Sequence, residues 1–189
     1  MQALRSIGTN RLFTSSGQSS MGVGLPGAIG AYVANKARTI CIAGDGGIQM
    51  NIQELQTVVH YGLPIKIIIL NNQGYLAISL MQDNLFNGNY IGSNPQSGVS
   101  NPNFIKLADA YGFKVYELSN NIELEENIDV ILNQEGPTFC EIKMVENQLL
   151  IPRVQSSKDE NGKIISNSLE NMFPYLSEEE MKEIMSWEY

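Results

Sequence analysis

Apolar residues arrive along this chain in short bursts, separated by stretches in which they recur every three or four positions. Thr39 to Ala43 (TICIA) is β-branched and apolar and stops at Gly44, which predicts a buried strand. Ile65 to Leu70 (IKIIIL) is the clearest strand, and Lys114 to Glu117 and Thr138 to Met144 supply two more. Pro26 suits a first helical turn, where its missing N–H costs nothing, and Gly27 to Asn35 (GAIGAYVAN) continues that helix. Asn51 followed by Glu54 has the form of a capping box and opens a helix through Leu55, Val58 and Val59 to Gly62. Phe104 to Tyr111 and Leu124 to Gln134 predict two further helices. Residues 84–103, rich in Asn, Gly and Ser, predict a long loop, a kind that is usually functional or mobile.

Strand and helix therefore alternate, which predicts an α/β fold of three layers: a parallel sheet with helices on both faces. Ligands of such sheets bind beyond the carboxyl ends of the strands, so Gly44 to Asn51 and Asn71 to Tyr75 are the segments to inspect. After Asn147 the pattern changes. Ile151 to Asn171 has no clear periodicity, and Ser177 to Trp187 (SEEEMKEIMSW) predicts a short acidic helix capped by Ser177. The division expected is a ligand-binding domain over 1–147 and an acidic C-terminal extension over 148–189 that wraps a neighbour.

Composition narrows the function. The chain has 189 residues, 43% hydrophobic and 17% charged, which supports a folded core and excludes a disordered chain. Its net charge of −8 argues against a nucleic-acid surface. Eight acids against four bases fall between Gln148 and Tyr189, so about half of the excess sits there. Two cysteines, Cys41 and Cys140, cannot build a disulfide framework or a four-cysteine zinc site. No apolar run reaches membrane-spanning length, and the opening MQALRSIGTNRLFTSS lacks the apolar stretch of a signal peptide. A cytoplasmic protein without a membrane or nucleic-acid partner is expected.

Two glycine motifs compete for attention. Gly22 to Gly27 matches G-x-G-x-x-G, but a dinucleotide fingerprint needs a strand just before it, and TSSGQSS cannot supply one. Small residues that let a helix pack closely explain these glycines at least as well. The second constellation is stronger: Gly44-Asp45-Gly46-Gly47 follows one strand and Asn71-Asn72 follows the next. Asp45 offers a carboxylate oxygen and Asn72 a carbonyl oxygen, the hard ligands that Mg²⁺ takes beside phosphate and water. Gly46 and Gly47 let backbone N–H groups approach an anion, and a following helix N-terminus favours negative charge. Taken singly, each loop reads better as a tight turn that Asp or Asn tolerates. Their joint placement favours the ligand.

The stretch GDGGIQMNIQELQTVVHYGLPIKIIILNNQGYLAIS resembles the signature of thiamine-diphosphate-dependent enzymes, and SSMGVGLPGAIGA resembles the segment preceding it in the acetolactate synthase group. The resemblance runs from Arg11 to Lys143. It implies the diphosphate-binding domain of that superfamily, with a six-stranded parallel sheet. It further implies that Asp45, the Asn72 side chain and the Gly74 carbonyl ligate Mg²⁺, while Gly44, Gly46 and Gly47 hold the diphosphate. Met21 matches the residue that bends the cofactor, Ser19 a position whose carbonyl meets the aminopyrimidine, and Tyr75 lines the cofactor site or simply packs. Family members usually carry Gly where Ser19 stands, but the role belongs to the main chain.

The implied activity is decarboxylation or carboligation of 2-oxo acids, with the cofactor as electron sink. The catalytic glutamate is unknown here, because the family supplies it from a separate pyrimidine-binding domain or subunit. The chain is thus expected to be half an active site. Alternatives are a subunit of a split decarboxylase, similar to sulfopyruvate decarboxylase, or a silent cofactor-binding remnant. An assembly of two or more copies is expected, through a face carrying Met21, Val23, Leu25, Ile48, Met50, Leu76 and Ile78, with Ile40, Ile42, Ile67 and Ile69 used by the sheet. His60 is expected as a helix-terminal cation, both cysteines as buried apolar residues, and Glu178 to Glu180 as a solvated helix start.

Overall fold

All four apolar bursts become strands of one parallel sheet. A computed structural model describes Arg5, residues 7–15 and residues 17–186. The opening MQALRSIGTNRLFTSS falls partly, and Trp187 wholly, outside the described residues. In chain order the elements are α1 (Gly24–Asn35), β1 (Ile40–Gly44), α2 (Asp45–Gln49), α3 (Glu54–His60), β2 (Lys66–Asn71), α4 (Leu76–Phe86), α5 (Phe104–Tyr111), β3 (Lys114–Leu118), α6 (Asn121–Asn133), β4 (Thr138–Lys143), β5 (Ser156–Lys158), β6 (Ile164–Ser166) and α7 (Glu178–Met185). The chain divides into two compact units, Met1–Asn72 with Asn101–Met144, and Gln73–Ser100 with Val145–Tyr189.

The first unit is a three-layer sandwich. Its strands lie in the order β1-β2-β4-β3, all parallel, with Gly44 level with Leu70 and Lys66 level with Thr138. The side-chain period of two sends alternate residues to opposite faces. On one face Cys41, Ile67, Ile69 and Phe139 meet Leu25, Ala28, Leu55, Val58 and Phe104 from α1, α3 and α5. On the other, Ile68, Leu118 and Cys140 meet Ile131 and its neighbours on α6. The four strands read from periodicity are the four observed, and the two more implied by the resemblance are absent among the described residues.

Ile67 and Ile69 are fully buried as expected, but Ile40 and Ile42 are 43% and 63% exposed. The reason is position. β1 is an edge strand, and α6 reaches β2, β4 and β3 but leaves the outer face of β1 open. Conversely Leu25 and Ile48, expected on an exposed face, are each 2% exposed. Met21, Met50 and Ile78 do remain at the surface.

Helix ends differ from the expected chemistry at one place. Asn51 does not cap α3, whose N-cap is Gln53 with no side-chain bond. Its Nδ2 instead donates to the Gly22 carbonyl at 2.7 Å, holding the 19–22 segment against the turn after α2. Gly22 is required there: its φ is +88°, and a Cβ would sit 2.4 Å from Asn51 Nδ2. A Cβ on Gly24 would lie 3.6 Å from Ala43 Cβ and from Cys41 Sγ, ordinary van der Waals contact, so a small residue fits there without glycine being required. No strand precedes the Gly22–Gly27 motif among the described residues.

The second unit holds two elements that periodicity did not show. Residues 84–86, expected as loop, end α4. Its inward face includes Ser79 and Gln82, whose polarity hides the helical period. Their partners are local: Gln82 Nε2 donates to the Ile91 carbonyl at 3.0 Å, and Ser93 Oγ donates to Gln82 Oε1 at 2.6 Å. β5 and β6 form an antiparallel hairpin closed by Asp159 to Gly162. The Asn161-Gly162 pair is a hairpin signal, and Gly162 takes φ +77°. Ser177 and Glu180 form the capping box of α7, and the Ser177 bonds lower the Glu180 carboxyl below its ordinary range. No helix among the described residues is long and apolar enough to cross a membrane.

Both thiols are buried, and burial raises each to about 11, with the Glu141 charge a second cause at Cys140. The folded chain therefore holds both protons to higher pH than the unfolded chain, whose thiols titrate near 9. The thiols' contribution to stability is complete below pH 9 and falls as pH rises from 9 towards 11. Urea unfolding of wild type against a Cys41→Ala, Cys140→Ala variant at pH 8 and pH 10.5 reads this. Equal pH dependence in the two proteins contradicts it.

Candidate functional site

Two neighbouring strands end side by side, one running straight into a short helix and the other into a polar loop. β1 ends at Gly44, and the next residue, Asp45, opens α2, so the Gly-Asp-Gly-Gly motif is itself the first turn of a helix. β2 ends at Asn71, and Asn72 follows. Because the register puts Gly44 beside Leu70, Asp45 and Asn72 leave the same edge of the sheet from adjacent strands.

Burial makes this edge chemically unusual. Asp45 is 2% exposed, although an ionised carboxylate in such a place needs partners. One is Asn101, whose Nδ2 donates to Asp45 Oδ2 at 2.6 Å. The same amide lies 3.4 Å from Asn71 Oδ1. Asn71 Nδ2 in turn donates to Glu141 Oε1 at 2.5 Å, and Lys143 Nζ reaches that oxygen at 3.0 Å. A buried chain of polar groups thus runs from Asp45 through Asn101 and Asn71 to Glu141 on β4. Asn72 Oδ1 is different: it is buried and has no hydrogen-bond partner. An orphaned carbonyl oxygen at the same sheet edge as a buried carboxylate is the kind of donor that a hard cation takes. Among the described residues no group of three or more His, Cys, Asp or Glu side chains could hold a metal ion. Any cation here must draw its remaining ligands from carbonyls, water or a bound anion.

Two glycines of the motif, Gly44 and Gly47, are not explained by packing. A Cβ at Gly44 or Gly47 would meet nothing within 4 Å, and neither residue has a positive φ. Gly46 is buried and Gly47 half-buried. Ser19 takes φ +51°, the left-handed region that glycine enters freely, and its N–H donates to the Ser15 carbonyl at 2.6 Å. Met21 is 43% exposed and lies next to the anchored Gly22. The first unit therefore gathers Ser19, Met21, Gly44, Asp45, Gly46, Gly47 and Asn72 on elements that it builds by itself.

Gly74 and Tyr75 belong to the second unit. There Tyr75 N–H donates to the Ser93 carbonyl at 2.8 Å, and the half-buried Tyr75 leads into α4. A Cβ on Gly74 would lie 2.6 Å from that carbonyl oxygen. The other singled-out residues lie elsewhere: His60 is exposed at the end of α3, edge-on to Tyr61, and Glu178 to Glu180 form the first turn of α7.

Sequence reasoning missed Asn101 and Glu141, and it named Asn71 in the Asn-Asn motif without giving it a role. Asn101 lay in a loop whose many asparagines gave no reason to prefer one. Glu141 was hidden in an apolar strand, where only the pairing with β2, which sets it level with Ile69, two residues before Asn71, shows which side chain it reaches.

Comparison with known proteins gives this geometry a context. Residues 1–142 match the family model described as thiamine pyrophosphate enzyme, C-terminal TPP binding domain. Over 146 residues the chain is 38% identical to the acetolactate synthase large subunit of Porphyra purpurea, covering 77% of this chain and 24% of that protein. It is 37% identical over 142 residues to the acetolactate synthase isozyme 2 large subunit of Escherichia coli K12, covering 75% and 25%. With the acetolactate synthase of Arthrospira platensis it shares 35% over 153 residues, 80% of this chain and 26% of the relative. It spans about a quarter of the length of these relatives. With a parallel α/β sheet, the Asp45 and Asn72 loops on one of its edges and this match over three quarters of its length, the chain belongs to the thiamine pyrophosphate enzyme family, as a C-terminal TPP-binding domain of the acetolactate-synthase-like type.

Proposed function

We propose that this chain holds the diphosphate end of thiamine diphosphate and its Mg²⁺ for an acetolactate-synthase-like enzyme that decarboxylates or carboligates 2-oxo acids. The observation that carries the reading is the buried, partnerless Asn72 Oδ1 at the sheet edge where Asp45 is buried. In this assignment Asp45, Asn72 and the Gly74 carbonyl ligate Mg²⁺, and Gly44, Gly46 and Gly47 admit the diphosphate. Ser19 and Met21 meet the rest of the cofactor, and Tyr75 borders it. When bound, the cofactor supplies an electron sink for carbon dioxide loss. This chain's own residues bind and orient; Asn101 keeps the Asp45 carboxylate aimed. A glutamate from a pyrimidine-binding domain or subunit completes the site in an assembly, so this chain alone turns over pyruvate little.

Calorimetric titration of thiamine diphosphate with Mg²⁺ and with EDTA tests the reading directly: binding should require the metal, and equal affinity in both conditions would sink it. Gly47→Ala separates ligand from fold. Since the new Cβ meets only open space in a helix, the variant should be more stable by up to about 1 kcal/mol. Its affinity for the cofactor should nevertheless fall, because the same space is where the diphosphate approaches. A stabilised variant with wild-type affinity argues against the glycine cradle.

A further inference from the structure

We propose that the opposite edge of the sheet carries a second binding site, which takes the phosphate of a small phosphorylated molecule between Lys36, Arg38 and Lys66. These residues line a cleft of about 400 Å³ with Tyr32, Pro64, Leu132 and Glu135. It lies at the amino ends of the strands, since Arg38 precedes β1, Lys66 opens β2 and Gly136 precedes β4. Strands of this length put roughly 17–20 Å between it and the Asp45 edge.

Charge is the first argument. The chain has twelve Lys and Arg against twenty acids, yet three of the twelve line this one cleft and Glu135 alone opposes them. The ion pairs among the described residues all involve Lys143, so none of the three cations is neutralised. Construction is the second. Lys66 is 4% exposed, and its Nζ donates to the carbonyls of Gln134 and Gly136 and to Thr138 Oγ1. Those three neutral acceptors take all three N–H groups of the ammonium, so Lys66 offers a bound anion its positive field, and the hydrogen bonds must come from Lys36 and Arg38. Burial first, and the nearby Arg38 charge second, lower its pKa, a cost to the charged form that a bound anion would relieve.

Lys36 is exposed: its backbone ends α1 in the left-handed region at φ +51°, and its Nζ lies 5.2 Å from the centre of the Tyr32 ring. Arg38 is exposed, and its planar fork matches two phosphate oxygens. The cleft exceeds one phosphate in size. Tyr32, Pro64 and Leu132 supply an apolar wall for the esterified body.

Titration of the whole chain in EDTA with inorganic phosphate, and then with phenyl phosphate, tests the site without engaging the metal-dependent one. Saturable binding is expected, tighter for phenyl phosphate. Arg38→Gln should weaken it about tenfold, Glu135→Gln should tighten it, and Asp45→Ala should leave it unchanged. Circular dichroism confirms that each variant is folded; the altered Arg38 and Glu135 side chains are on the surface. Absence of saturable phosphate binding, or binding indifferent to Arg38→Gln, overturns the proposal. Loss of phosphate binding in Asp45→Ala also overturns it, by assigning the anion to the other edge.

Discussion

Asp45→Ala is expected to abolish Mg²⁺-dependent binding of thiamine diphosphate while leaving the sheet intact. Asp45 carries the only carboxylate in the two loops at that edge, Gly44 to Asn51 and Asn71 to Tyr75. Without it a divalent cation would meet one amide oxygen and backbone carbonyls, with no charge to offset its dehydration. Affinity in the presence of Mg²⁺ should fall by more than the roughly 10–100-fold typical of losing an outer-shell partner. Asn101→Ala supplies that smaller loss, since it removes only the amide that holds Asp45 Oδ2 at 2.6 Å. The two variants together make a graded series, read by calorimetry with Mg²⁺ at fixed concentration. A folded Asp45→Ala protein with unchanged metal-dependent affinity would remove the site assignment.

Gly74→Ala should damage the second unit itself. The Cβ it adds would lie 2.6 Å from the Ser93 carbonyl oxygen and 3.3 Å from Asn94 Cα, both main-chain atoms that cannot swing aside. That carbonyl already accepts from Tyr75 N–H at 2.8 Å, and Ser93 is completely buried. The loop must therefore move, at an overpacking cost of about 1–3 kcal/mol. The Gly74 carbonyl moves with it, so metal-dependent cofactor affinity should drop along with stability. Urea unfolding and cofactor titration of the same protein measure both. The contrast with Gly47→Ala is the informative part: one glycine is required by the chain's own backbone, the other has empty space beside it. Equal behaviour of the two variants would mean that glycine plays one role at both positions.

Legibility in the sequence followed the strength of each local signal. Ile65 to Leu70 and Thr138 to Met144 read as strands because nothing but a buried sheet suits such runs. Ser177 read as a cap because capping acts locally, and the structure adds Glu180 as the other half of a capping box. Asn51 with Glu54 had the same form yet failed as a cap, because the Gly22 carbonyl, 29 residues away in sequence, took the Asn51 amide. The helix at Leu76 to Phe86 was hidden by its inward polar residues, which make sense only beside Ser93 and Ile91. The Asn161-Gly162 turn was visible and went unused.

What the sequence determined by itself was local and chemical. Alternating strand and helix patterns set the α/β class, and the Gly-Asp-Gly-Gly and Asn-Asn motifs set the two loops that follow its strands. Tertiary structure decided whatever depends on groups distant in the chain. Strand order left Ile40 and Ile42 on an open edge and buried Leu25 and Ile48. Register set Glu141 level with Ile69, within reach of the Asn71 amide, and loop closure brought Asn101 to Asp45. The same packing left Asn72 Oδ1 buried without a partner and three cations around one cleft. Periodicity and capping act within a few residues along the chain, whereas desolvation and charge balance are set by every atom that folding brings within a few ångströms.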